Sequence, residues 1–224
     1  WEHFSSERPG MIADMLGEPV RLNPIEIDPP RHHHYRRVLN PFFTPKAVSH
    51  FDEPVRLCCR ELIAGFKDRG ECEFVDEFAV PFPSYVFLDL MGMPRSRLQD
   101  FLAWERGMLR GETPERVVEA MLAILAYLQE FLAEQRRNPT SPLMQGIVSA
   151  RLDDGRPLTE DEMLSIAYIL YIGGLDTVYS TIGWIFWHLA RDQALQDRLR
   201  ARPDDLTGAT EELLRAFSAT STAR

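Results

Sequence analysis

No stretch of this chain reaches the roughly 18 uninterrupted apolar residues of a membrane-crossing helix, so a membrane span is not expected. Cysteine is scarce: Cys58 and Cys59 are adjacent, Cys72 stands apart, and no CxxC or Cys/His ligand spacing accompanies them. An odd count without such spacing argues against a disulfide framework and a zinc site, and favours a reduced, cytoplasmic protein. Positive charge is not in excess either. A formal net charge of -9 excludes nucleic acid as a general partner and leaves only local basic patches. The opening "WEHFSSERPG" has neither a starting Met nor a basic region followed by an apolar run, and reads as the middle of a longer protein. Internal repeats and long linkers are also missing. With 45% apolar residues, the expectation is one domain over residues 1–224 with a true core.

What is present reads as helix. Residues 1–30, rich in Pro and Gly, are expected to be loop with one short helix at most. Pro29 and Pro30 stand where a helix can begin, ahead of the basic turn "RHHHYRR". Thr44 and Pro45 make an N-cap and first position for a helix to about Gly70, bent or split by Pro54. "FAVPFPSYVFLDLMGMP" has the aromatic content of a strand, yet its prolines and the spacing of Phe82, Val86 and Leu90 favour a buried helix. Further helices are expected at 96–109, 114–137 and 142–150. Thr159 and Glu162 then form a capping box, opening a helix of about 30 residues to Arg191 that must cross the interior. Helices at 193–201 and 208–217 complete a mainly α chain.

That long helix carries residues which oppose local rules. Gly173 and Gly174 each cost on the order of 1 kcal/mol relative to alanine in a helix, and Asp176 sits among Ile172, Leu175, Ile182 and Trp184. Paired glycines let a flat or bulky ligand approach the backbone. Asp176 can exchange protons if burial raises its pKa, and Thr177 offers a hydroxyl that both donates and accepts. Together they form a candidate proton relay. The local alternatives are a close helix crossing at Gly-Gly, a Thr177 bond to the carbonyl four residues earlier, and pairing of Asp176 with a surface arginine.

Three consecutive histidines do not share a helical face, so "HHH" is a poor metal site, whereas His32 and Arg36 are four apart and could hold an anionic group. The alternative is a solvated basic face that includes Arg31, His33 and Arg37. Glu212 and Arg215, three apart, suit an intrahelical ion pair of roughly 0.3 to 0.5 kcal/mol. Arg224 follows the irregular "SATSTA" and could point back into a cleft or simply be a ragged end.

Taken in order, "DPPRHHHYRR", "GGLDTV" and "EELLRAFS" resemble the haem-propionate segment, the oxygen-activating helix and the Glu-x-x-Arg helix of the cytochrome P450 family. Within it they are most similar to the soluble bacterial camphor-hydroxylase branch. The resemblance covers essentially the whole chain. It implies a haem b monooxygenase that inserts one atom of O2 into an apolar substrate, with electrons from a ferredoxin-type iron–sulphur protein and its NAD(P)H-dependent reductase. Residue by residue, it implies Asp176 as the proton-relaying acid and Thr177 as the hydroxyl acting on oxygen. Gly173 and Gly174 would lie over the haem face, and His32, Arg36 and Arg224 would hold the propionates. Ile169, Ile172 and Thr220 would line the substrate cavity, and Glu212 and Arg215 would form the structural pair. The camphor enzyme has a different residue at the site of His32, and its camphor-binding tyrosine has no counterpart near Val20. The substrate expectation therefore stops at an apolar compound of terpenoid type.

One element of the pattern is missing. The family ligates iron through a cysteine in a glycine-containing loop downstream of the Glu-x-x-Arg helix, and none of the three cysteines stands in that setting. No axial ligand is assignable. Without a thiolate the electronic push for O–O cleavage is absent, so the expectation is an inactive part of a protein of about 400 residues, as the resemblance implies. The competing expectation is a helical or partner-binding module without haem.

Overall fold

The computed structural model describes residues 5–6 and 22–219. Thr220, Arg224 and most of the expected N-terminal loop, Val20 included, lie outside these. The described chain is helical, with a single isolated antiparallel bridge between Arg151 and Pro157 in place of any sheet. Its main helices are α1 (Arg31–Leu39), α2 (Asp52–Phe66), α3 (Pro81–Met91), α4 (Leu98–Arg110) and α5 (Pro114–Arg137). They continue with α6 (Pro142–Ser149), α7 (Glu160–Arg191), α8 (Gln193–Ala201) and α9 (Leu206–Ala216).

Local chemistry explains most of the boundaries. Thr113 and Ser141 each accept a hydrogen bond from the amide three residues on, and Pro114 and Pro142 take the first helical positions, where a missing N–H removes nothing. Thr159 caps α7 reciprocally: the Glu162 amide donates to its hydroxyl at 3.2 Å, and its own amide donates to the Glu162 carboxylate at 2.8 Å. Gly92 closes α3 at φ 72°, a left-handed position that glycine occupies without strain.

The expected helix from Pro45 to Gly70 is corrected. Thr44 caps only the single turn Pro45–Val48, a 3₁₀ turn follows, and α2 begins at Asp52. Pro54 falls in the first turn of α2, where proline is tolerated, so it marks a beginning and not a bend.

The core forms where α3, α4 and α5 pack against the first half of α7. Tyr168 and Tyr171 are fully buried, and their hydroxyls find partners on α4: Tyr171 donates to the Phe101 carbonyl at 2.6 Å and Tyr168 to the Met108 sulphur at 3.2 Å. A buried phenol needs such a partner, so these contacts also set how α4 lies along α7. By length and composition α7 qualifies as a membrane-crossing helix, the one that does so among the described residues. Here its first half instead supplies the core through Met163, Ile166, Ala167, Tyr168, Tyr171 and Leu175.

Candidate functional site on the long helix

The two glycines of α7 do different work. A Cβ on Gly174 would stand 2.1 Å from the Phe87 ring of α3, so Gly174 exists to let that ring in. A Cβ on Gly173 would meet nothing within 4 Å. Gly173 therefore borders open space, while Gly174 is the close helix crossing that was the alternative reading of the glycine pair. Ile169, four residues before Gly173, lies half-buried on its side of the helix, and Ile172, adjacent to Gly173, is half-buried on the flank next to it.

One turn on, Thr177 donates its hydroxyl proton to the Gly173 carbonyl at 2.7 Å, and Thr181 does the same to the Thr177 carbonyl at 2.7 Å. Asp176 pairs with Arg110 of α4 at 2.7 Å and accepts from the Tyr179 hydroxyl at 2.7 Å. Both local alternatives are therefore realised. They leave the Thr177 oxygen with its lone pairs for other donors.

Sequence reasoning missed the centre of this cluster. Glu105 on α4 is 0% exposed, accepts the Asp176 amide at 2.8 Å, and lies 3.4 Å from the Tyr179 hydroxyl. Burial pushes its carboxyl up to about 7, with the Asp176 charge adding to the rise against the opposing hydrogen bonds from the Asp176 amide and Tyr179. Burial, and then the bond to Asp176, also raise the Tyr179 phenol, while Asp176 and Tyr179 hold Arg110 firmly protonated. A signal was available: Leu98, Phe101, Leu102, Glu105 and Met108 form the buried stripe of α4, so an acid occupies an apolar position.

The other expected site residues are spread along the fold. His32 is half-buried and Arg36 exposed on α1, one turn apart. Their neighbours His34 and Arg37 both pair with Asp153. Tyr35 of α1 donates at 2.6 Å to Glu162, which locates α1 near the start of α7, several turns before Asp176. Glu162 also receives Arg156 at 2.8 Å, and this pairing, with Tyr35 and the Thr159 amide, draws its carboxyl down to about 2. Glu212 and Arg215 form a two-bonded pair at 2.8 and 2.7 Å on α9, both exposed.

One side of this arrangement is unobstructed at Gly173. The backbone at Gly173 is open, apolar Ile169 and Ile172 adjoin it, and Val178 beyond is exposed. No described residue offers the opposite, axial side. Cys58 is buried on α2 with its thiol pushed up by burial, so it resists becoming a thiolate, and Cys59 on α2 and Cys72 beyond it are free. Among the described residues no cluster of three or more His, Cys, Asp or Glu could hold a metal ion.

The fold and site define an all-helical protein with an acid and a hydroxyl on a core helix, next to an open face. Residues 85–213 match the family model for cytochrome P450, more than half of the chain, and the chain belongs to that family. It is 35% identical to the protein named Probable cytochrome P450 127A1 of Sinorhizobium fredii, over 97% of this chain and 52% of that one. Cytochrome P450 107B1 of Saccharopolyspora erythraea is 33% identical over 94% and 51%. Among solved structures, a mutant of P450 EryK in complex with erythromycin B matches with TM-score 0.80 and 29% identity, covering 88% of this chain and 52% of its own. CYP101J2 matches with TM-score 0.79 and 29% identity, over 96% and 53%. The chain spans about half the length of the relatives it matches.

Proposed function

We propose that this chain contributes the oxygen side of a haem-dependent monooxygenase, whose whole form places one atom of O2 in an apolar, terpenoid-type substrate and releases the other as water. Two electrons come from a ferredoxin-type iron–sulphur protein with its NAD(P)H-dependent reductase, and two protons are consumed. Haem b, when bound, supplies the redox-active iron at which dioxygen is reduced. The rest falls to side chains.

Gly173 leaves the helix backbone accessible to a flat cofactor, and Ile169 and Ile172 present apolar surface to the substrate. Thr177, its proton committed to the Gly173 carbonyl, accepts a hydrogen bond from a water or an oxygen species in the site. Asp176, held by Arg110 and Tyr179, carries protons from the surface side of α7 to Thr177. His32 and Arg36, joined by Arg224, bind the haem propionates, and Glu212–Arg215 braces α9. The axial thiolate has no candidate among the described residues, so the activity is assigned to the whole protein and not to these residues alone.

The observation that carries this reading is the adjacency of an open Gly173, a Thr177 bonded to its carbonyl, and an Asp176 bound into a charged network. The full-length protein, reduced under carbon monoxide, should give a thiolate-type haem spectrum. Its absence would favour a helical module without haem. In the same protein Thr177→Ala should consume electrons while releasing peroxide in place of product, and unchanged coupling would refute the role of Thr177.

A further inference from the structure

Glu105 is buried without a cation of its own. The groups that face it are Asp176, Tyr179 and Tyr171 from α7 and Arg110 from its own helix, and Arg110 is already paired with Asp176. Arg97, just before α4, lies over the rings of Phe101, Trp104 and Tyr127. The other helix packed on α4 is α5, whose buried residues there are Ala120, Met121 and Ile124. An ionised carboxylate in such surroundings is costly unless paired.

Counting protons then orders the cluster. Tyr179 has one hydroxyl hydrogen, and the 2.7 Å contact assigns it to Asp176. At 3.4 Å from the same hydroxyl, the Glu105 Oε2 is only a distant second acceptor for that proton, while its Oε1 accepts the Asp176 amide. That amide lies inside a helix, where its ordinary partner is the Ile172 carbonyl. A carboxyl from α4 thus grips α7 beside Gly173.

We propose that Glu105 is a positioning residue for Asp176: from its buried place on α4 it holds the Asp176 amide, and while it is uncharged it leaves the Tyr179 proton and Arg110 to Asp176. Once Glu105 ionises, two carboxylates compete for one hydroxyl and one guanidinium, and the Asp176–Arg110 pair loosens. The protonation of a fully buried acid on α4 thereby sets how firmly Asp176 is held by Arg110. Its catalytic consequence rests on the monooxygenase reading, but the state of Glu105 does not.

The test uses the full-length protein and Glu105→Gln, which keeps the acceptor for the Asp176 amide and removes the titration. Infrared pH-difference spectra of the native protein should contain a protonated-carboxyl band that disappears near neutral pH, and the Gln variant should lack it. Product coupling should change by about tenfold across the same pH range, the equivalent of one pKa unit of interaction between the two acids, and the Gln variant should be flat. A band that is absent, or that survives in Glu105→Gln, overturns the proposal, and so does a native pH profile retained in that variant. The infrared outcome needs neither haem nor turnover. A failed haem spectrum would therefore leave the Glu105 result standing on its own.

Discussion

The two acid clusters on α7 contrast sharply. At its start, Glu162 is ionised and surrounded by donors: Arg156, Tyr35 and the Thr159 amide. In its middle, Glu105 reaches in from α4, has burial as its dominant influence, and is pushed up to about 7, so that it exchanges its proton near neutral pH. The first arrangement fastens a helix end, where orphan amides make negative charge favourable. The second places an acid whose proton is easily gained or lost beside the residues that face open space. A charge that is fully compensated stabilises the fold; one that is not remains available for chemistry.

Removing core from the first half of α7 should have the largest effect. Ile166 is 0% exposed, and Ile166→Ala should lower unfolding free energy by about 3 kcal/mol, as buried large-to-small changes do. Trp184, 55% exposed on the second half, should cost under about 0.5 kcal/mol when changed to a polar residue. Urea titration of both variants would show whether the halves of α7 differ as their burial implies.

The next effect follows pH and has opposite signs at the two clusters. Glu105 is raised from 4.5 to about 7, so the folded state holds the extra proton: its contribution is fully present below about 4.5 and is lost as pH rises through about 7. The size is on the order of 3 kcal/mol. Glu162 is lowered from 4.5 to about 2, so its contribution is present above about 4.5 and lost as pH falls through about 2, with a screened magnitude of about 1 kcal/mol. Stability measured against pH should lose the neutral limb in Glu105→Gln and the acid limb in Glu162→Gln. Exchange of those limbs between the variants would contradict the comparison.

A pair of glycine substitutions probes the middle of the helix at similar scale. Gly174→Ala drives a methyl into the Phe87 ring and should destabilise by about 2 kcal/mol. Gly173→Ala meets nothing and should stabilise α7 by about 1 kcal/mol, while narrowing the approach to its backbone. Thermal melts that moved in the same direction for both would remove the distinction. A change of similar, modest size is expected at the cap, where Thr159→Ala should cost about 1 kcal/mol by chemical denaturation.

Legibility followed the range of the interactions involved. The starts of α5, α6 and α7 depend on a hydroxyl and a proline or glutamate within four residues, so the spacing in the chain was enough to find them. The break before α2 was legible as a split at Pro54, but its place was not, because proline fits the first turn of a new helix as well as a bend, and only the structure puts the start at Asp52. Asp176 and Thr177 stood out as polar residues in an apolar run. Glu105 did not, since "LQDFLAWERGMLR" contains other charges, and only the stripe of buried positions separates it from them.

By itself the sequence determined the helical class, the long central helix and the polar residues it carries. These follow from caps, prolines and periodicity, which act over a few residues. Tertiary structure alone decided that Phe87 claims Gly174, that Gly173 stays open, and that a glutamate 71 residues before Asp176 holds its amide. Such contacts depend on how α3, α4 and α7 cross, and burial at that crossing, not the identity of any one residue, turns an ordinary carboxylate into an acid that titrates near pH 7.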